Sequence, residues 1–167
     1  TESFIPFCYG GGIRTVEHAG RLFDIGVEKV SLNAVAVEDP EIVAAMARRF
    51  GSQSIVVAMD VICRSPGRYE VMTRNGKTAT GLDPVRHARN VESLGAGELF
   101  INSINRDGTM KGYDTDILKA VAGAVNIPVI ACGGAGNLEH MAEAIRIAGV
   151  HSVAAGSLFV FQGRHRA

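Results

Sequence analysis

The sequence has no excess charge of either sign: 17 Lys and Arg residues face 17 Asp and Glu residues among 167. That balance removes the broad attraction by which nucleic acids and anionic membrane surfaces are bound. Neither is expected as a partner. Any anion site must be local, built from backbone N–H groups or a single Arg or Lys. Cysteine is scarce. Cys8, Cys63 and Cys132 are odd in number, widely spaced and form no CxxC pair. This argues against a disulfide framework and a zinc site. The five histidines show no ligand spacing, so neither metal nor cofactor is expected. Long hydrophobic runs are also lacking. Ile55 to Met59 falls far short of the ~20 apolar residues that cross a bilayer. No signal-peptide pattern is found, and the expected compartment is the reducing cytoplasm.

What is present is apolar and alternating. Hydrophobic residues make up 47% of the chain, enough for a sizeable core. Short apolar runs predict strands over Ile5–Tyr9, Lys29–Leu32, Ile55–Asp60, Glu98–Asn102, Val129–Ala131 and Ser152–Ala155. Most read as apolar on both faces, as in a parallel sheet covered by helices. Helix signals lie between them. Asp39-Pro40 predicts a cap and a first-turn proline, followed by an apolar face of Ile42, Val43, Met46, Ala47 and Phe50. Asp83-Pro84 repeats that start, with Val85, Ala88 and Val91 inward. Asp114 begins a third helix, with Ile117, Leu118, Val121 and Val125 on one side. Gly26, Gly51, Gly95 and Gly149 close helices. One interruption, Tyr69–Thr73, Asn75-Gly76 and Thr78–Thr80, predicts a β-hairpin between the third strand and its helix.

The chain also matches itself. Ile5-Pro6-Phe7-Cys8-Tyr9-Gly10-Gly11-Gly12 through His18 aligns without gaps on Ile127-Pro128-Val129-Ile130-Ala131-Cys132-Gly133-Gly134 through His140. After a one-residue slip, Asn33-Ala34 aligns on Gly156-Ser157. The repeat spans residues 5–35 and 127–158. Its offset of about 120 residues is half of a (β/α)8 barrel of about 250. The expected fold is therefore α/β: an incomplete (β/α)8 TIM barrel of the ribulose-phosphate-binding type, carrying about strands three to eight. Residues 1–167 are expected to form a single partial domain. The start at Thr1 and the stop at Ala167, both beside apolar runs, point to a fragment of a longer chain.

Several motifs carry chemistry. Gly10-Gly11-Gly12 and Gly133-Gly134-Ala135-Gly136 follow strands, where glycine lets backbone N–H groups approach a phosphate. Each is matched by a loop one βα unit later, Ser31–Ala34 and Ala154–Ser157, with a helix N-terminus nearby. Two such sites suggest a substrate with phosphate at both ends. Asp60 ends an apolar strand. A partly desolvated carboxylate at the C-terminal mouth of a barrel suits general acid or base work, though it could equally cap the next loop. The polar stretch from Asn102 through Asp107, Gly108 and Thr109 suits a substrate loop, offering N–H groups and a hydroxyl to phosphate. Lys29 and Glu98 stand at strand starts, where a buried charge needs a partner. Cys132 reads as a small inert pocket residue. His18 and His140 read as surface or packing residues.

Taken together, Tyr9–Arg14, Glu28–Asn33, Phe50–Gln53, Val56–Asp60, Arg106–Thr109 with Gly112–Asp114, and Gly133–Gly136 resemble the imidazole glycerol phosphate synthase cyclase subunit (HisF) family over nearly the whole chain. The resemblance implies a lyase-type cyclase of histidine biosynthesis that receives ammonia from a glutaminase subunit in a heterodimer. Its bisphosphorylated substrate (PRFAR) gives imidazole glycerol phosphate and an aminoimidazole carboxamide ribotide (AICAR). Two Asp residues then act as acid and base. One is Asp60, and the other is expected on a first strand outside this sequence, so the fragment alone is expected to be inactive. One phosphate site carries over to Gly12 and Asn33, and the other to Asp107, Gly108, Gly134, Gly156 and Ser157. Asn102 is counted with the substrate contacts. Lys29 and Glu98 match residues that gate ammonia. The family usually has Thr or Ser at Asn102 and Cys132, and Asp at Asn105. Those departures, with Cys8-Tyr9 and Gly156–Phe161, also resemble a paralogous branch that channels ammonia for amidino-sugar formation in surface polysaccharides. The related isomerase (HisA) fits less well, because the hairpin and Arg106–Thr109 look cyclase-like. A non-catalytic, phosphate-binding piece is the reading of another class.

Overall fold

Strand burial alternates with period two, which places one face of the sheet under helices and leaves the other half-open. A computed structural model describes residues 5–161. It contains β1 (Cys8–Gly10), α1 (Val16–Asp24), β2 (Lys29–Leu32), α2 (Ala34–Glu38), α3 (Glu41–Phe50), β3 (Ile55–Ser65), β4 (Arg68–Thr73) and β5 (Thr78–Ala79). There follow α4 (Pro84–Ser93), β6 (Glu98–Ser103), α5 (Thr115–Ala122), β7 (Val129–Cys132), α6 (Leu138–Ala148), β8 (Ser152–Val153) and α7 (Ser157–Val160). Six strands pair in the order β1-β2-β3-β6-β7-β8, every neighbour parallel. Alternation with helices gives the curled sheet of an incomplete (β/α)8 barrel. The expected domain span of 1–167 includes residues outside those described.

The helix-facing side is the core. Val30, Leu32, Ile55, Val57, Met59, Leu99, Ile101, Val129 and Ala131 are fully buried there, with Val43, Met46, Ala88, Val91 and Val121 from the helices. Each large side chain so buried contributes roughly 1.5–3 kcal/mol. The opposite face differs from the expectation of apolar residues on both sides. It carries Lys29, Ser31, Ala58, Asp60, Glu98, Phe100, Asn102 and Cys132, all half-buried. Register aligns them in rows, Ala58 with Phe100 and Ile130, and Asp60 with Asn102 and Cys132. The inside of the curl is therefore polar at its two ends, with the apolar row of Ala58, Phe100 and Ile130 between them.

The helix starts follow the capping signals in part. Asp83 accepts from the Arg86 N–H ahead of Pro84. Thr15 and Asn137, equivalent in the repeat, accept from the His18 and His140 N–H groups. Asp39 makes no such bond, and Pro40 itself precedes the first turn of α3. Asp114 caps no N–H; its carboxylate accepts from the Tyr69 hydroxyl at 3.0 Å. Gly26, Gly51, Gly95 and Gly149 all have positive φ behind helices.

The largest difference from expectation lies in β3. The strand does not end at Asp60 but runs to Ser65, and from Asp60 onward it pairs antiparallel with β4. Val61 is still in the core, but Arg64 and Ser65 are exposed and are held in the strand by pairing with the hairpin, so the apolar signal fades while the pairing continues. The hairpin is where Asn75-Gly76 placed it, but its tip is unusual: Arg74, Asn75 and Gly76 all have positive φ, at 53°, 58° and 75°. For Arg74 that conformation costs about 1–2 kcal/mol. β1 and β8 are shorter than predicted, and Ile5 and Phe7 lie outside the β1 ladder and are exposed.

Candidate active site

Asp60 occupies the point where β3 exchanges partners. Its backbone pairs with Asn102 of β6 on one side and Met72 of β4 on the other. Both carboxylate oxygens are held by amides: Asn33 Nδ2 donates to Oδ2 at 3.0 Å, and Asn102 Nδ2 donates to Oδ1 at 3.0 Å. Asn33 lies two residues beyond Ser31, just past β2, so it reaches the same inner face. It precedes α2 without capping it, because its side chain is turned to Asp60. Asn33 and Asn102, both read as substrate contacts, thus fix the plane of the carboxylate. With its amide nitrogen committed, Asn102 is left with a buried oxygen that has no partner. A buried acceptor without a donor costs about 1–3 kcal/mol.

Three cavities run along this face. The first, about 280 Å³, is lined by Gly10, Gly11, Gly12, Ser31, Asn33 and Asp60, with Arg14, Arg74 and Asn75 at its lip. The second lies between Asp60, Asn75, Gly76, Asn102, Ile104 and Asp107. The third is lined by Asp107, Gly108, Gly133, Gly134, Gly156 and Ser157, among others. Asp60 and Asn75 belong to the first two, and Asp107 to the last two. The glycine turns thus stand at the two ends of a row of neighbouring cavities with Asp60 between them, the third cavity being small at about 10 Å³. Gly12 lies in the first cleft, and Asp107, Gly108, Gly134, Gly156 and Ser157 come together in the third.

The loop from β6 to α5 is tied down at its far end. The Tyr113 hydroxyl donates to the Ala154 carbonyl at 2.9 Å, and Tyr69 holds Asp114. Burial pushes the Tyr113 hydroxyl up to about 12, and burial together with Asp114 pushes Tyr69 up as well. Within the loop, the Thr109 hydroxyl donates to the Arg106 carbonyl at 2.6 Å and accepts from the Lys111 N–H. That hydroxyl is engaged in the turn. His140 is more than a surface residue: its Nδ1 accepts from the Gly136 N–H at 3.2 Å and braces the second glycine turn. Burial, followed by the charge of Asp107, pushes the Cys132 thiol up, which keeps it an unreactive neutral group.

Lys29 and Glu98 lie at the other end of the inner face. Lys29 Nζ donates to Glu98 Oε1 at 2.5 Å across β3, the strand that separates β2 from β6. Burial raises the Cys8 thiol beside them, against the opposing pull of Lys29. Among the described residues, no group of His, Cys, Asp and Glu is arranged to hold a metal ion, and no helix is long and apolar enough to cross a membrane.

The sequence missed the amide pair around Asp60, the two tyrosine ties and the arginines at the lip. The amides left one signal: Asn33 and Asn102 both sit at ends of strands that flank Asp60. The tyrosine ties left none, since their partners are 41 and 45 residues away in the chain.

Residues 1–166 match the family described as histidine biosynthesis protein. The imidazole glycerol phosphate synthase subunit HisF of Pyrobaculum aerophilum is 52% identical over 158 residues, covering 95% of this chain and 62% of that protein. The HisF subunit of Alkaliphilus metalliredigens is 49% identical over 158 residues, covering 95% and 63%. A Pseudomonas aeruginosa protein named "Putative imidazole glycerol phosphate synthase subunit hisF2" is 46% identical over 168 residues, covering 99% and 66%. The chain thus spans somewhat less than two thirds of the length of these relatives. A parallel barrel sheet with two glycine turns facing one carboxylate, and a match along nearly every residue, agree: the chain belongs to the histidine biosynthesis protein family, with HisF proteins as its relatives.

Proposed function

We propose that this chain carries part of the cyclase site of an imidazole glycerol phosphate synthase. The observation behind the proposal is the row of three neighbouring cavities in which Asp60 lies between the Gly10–Gly12 turn and the Gly133–Gly136 turn. A substrate phosphorylated at both ends would lie along it, with its reacting centre over Asp60. The amides of Asn33 and Asn102 orient the carboxylate so that it exchanges protons with the bound molecule as acid or base. Backbone N–H groups of Gly12, Gly108, Gly134, Gly156 and Ser157 are the proposed phosphate contacts. Ammonia would come from a glutaminase partner at the Lys29–Glu98 end and travel along the inner face, with that ion pair as its gate. The compartment proposed is the cytoplasm.

The test is turnover of PRFAR with ammonium by a wild-type protein of the relatives' full length that includes this chain, since the fragment alone is expected to be inactive. Asp60→Asn is expected to cut turnover at least a hundredfold, the usual worth of a positioned acid–base group, with substrate affinity nearly unchanged. Near-normal turnover in the variant would remove Asp60 from the mechanism. A second reading, ammonia channelling for an amidino sugar, is favoured by Asn102 and Cys132, which stand where the family usually has Thr or Ser. It predicts no PRFAR turnover by wild type, while phosphate binding and glutaminase association are kept. Phosphate binding alone, without either activity, would instead favour a non-catalytic role.

A further inference from the structure

The rim of the first cleft holds an arrangement that the cyclase reading does not use. Arg14, just after the Gly10–Gly12 turn, donates to Glu38 at 3.2 Å. Arg74, at the hairpin tip, reaches the other oxygen of the same carboxylate at 3.5 Å. Glu38 is the last residue of α2. Both guanidinium groups are about two-thirds exposed, and both line the cleft with the glycine turn. Two cations from separate elements thus converge on one carboxylate, and both also line the cleft that holds the positive-φ glycines Gly11 and Gly12.

A second observation bears on Arg74. It holds a left-handed conformation that favours Gly or Asn, and its neighbours Asn75 and Gly76 supply those types. An Arg at a strained tip position points to use of its side chain. The tip is also fixed in place: a Cβ on Gly76 would stand 3.1 Å from Ile104 Cδ1, on the loop after β6. Arg74 is therefore carried over the mouth of the site and held there.

We propose that Arg14 and Arg74 form a two-guanidinium clamp for a terminal phosphoryl group seated on the Gly10–Gly12 turn. Glu38 is the counter-anion that this group displaces. The proposal rests on the reading of that turn as a phosphate seat. A phosphomonoester dianion offers three free oxygens, enough for the glycine N–H groups and for both forked cations. A carboxylate shared by two arginines is a fitting stand-in, since it presents the same acceptor chemistry with less charge. Because the tip is fixed, Arg74 changes partners by rotation of its exposed side chain.

The probe is inorganic phosphate, titrated into the full chain and followed by heteronuclear NMR at the Gly11 and Gly12 amide signals. Those signals separate this cleft from the one at Gly134. Arg74→Ala is expected to weaken phosphate binding about tenfold, the size of one lost charge-assisted hydrogen bond. Arg74→Lys should recover part of the loss. Glu38→Gln should tighten binding about threefold by removing the competing charge. Arg74→Gly should weaken binding while raising the melting temperature by about 2–4 °C, because the tip strain is relieved. If wild type binds phosphate in a Gly12→Ala-sensitive way, yet Arg74→Ala stays within twofold or Glu38→Gln weakens binding, the clamp is overturned and the glycine seat stands. If no Gly12-sensitive binding occurs, the seat and the clamp fall together.

Discussion

The two glycine turns align in sequence but sit in different surroundings. At Gly11 and Gly12 a Cβ would meet nothing within 4 Å, and the turn is exposed. At Gly133 a Cβ would stand 2.7 Å from the Ser103 carbonyl oxygen, and at Gly134 it would fall inside the Gly112 peptide. The Gly112 N–H donates to the Gly134 carbonyl at 2.8 Å, so two loops share a backbone contact. In the first turn glycine is required for its φ, which is 123° at Gly11 and 69° at Gly12. In the second, where φ is 88° at Gly133 and 108° at Gly134, it is required for its missing side chain as well. One motif therefore serves two physical ends, and the first turn has room for a mobile partner while the second is already clasped.

Substitution can break this contrast. Gly134→Ala is expected to cost about 3 kcal/mol or more, from overpacking against Gly112 together with backbone strain. Gly12→Ala should cost only about 1–2 kcal/mol, the strain alone. Urea unfolding of both variants measures the gap, and equal losses would show that the two turns do not differ as described. A third variant sharpens the comparison at the loop that clasps the second turn. Tyr113→Phe removes the hydroxyl bond to Ala154 and should cost about 1 kcal/mol at neutral pH. The hydroxyl is held above its ordinary value of 10.0, at about 12. The folded chain therefore keeps a proton that the unfolded chain has lost between those values. Stability from this group is complete below pH 10, declines as pH rises towards 12, and is smaller in the variant. Unfolding curves at pH 9 and pH 11 test it: if Tyr113→Phe loses as much stability over that interval as wild type, Tyr113 does not contribute to the decline.

Much of the fold was legible because its signals are local. The Asp83-Pro84 cap, the Asn75-Gly76 tip and the strand over Lys29–Leu32 depend on residues adjacent in the chain. The extension of β3 to Ser65 was not legible. Its stability comes from β4, so Cys63, Arg64 and Ser65 need no apolar face to remain a strand. Asp114 shows the same limit. Its position at a helix start was plain, but the Tyr69 hydroxyl that takes its carboxylate lies across the site. At the candidate site, the residue types and their order were readable. The pairing of Asn33 and Asn102 with one carboxylate was not, because it arises only when three strands lie side by side.

The continuity of β3 has a mechanical consequence. The carboxylate of Asp60 and the base of the arm belong to the same strand, and the pairing keeps its register from Asp60 to Cys63 before it shifts at Ser65. Asp60 is where the arm leaves the sheet, so it acts as a fulcrum. A change in the pairing of the arm would therefore be felt first at Asp60, where the strand changes neighbours.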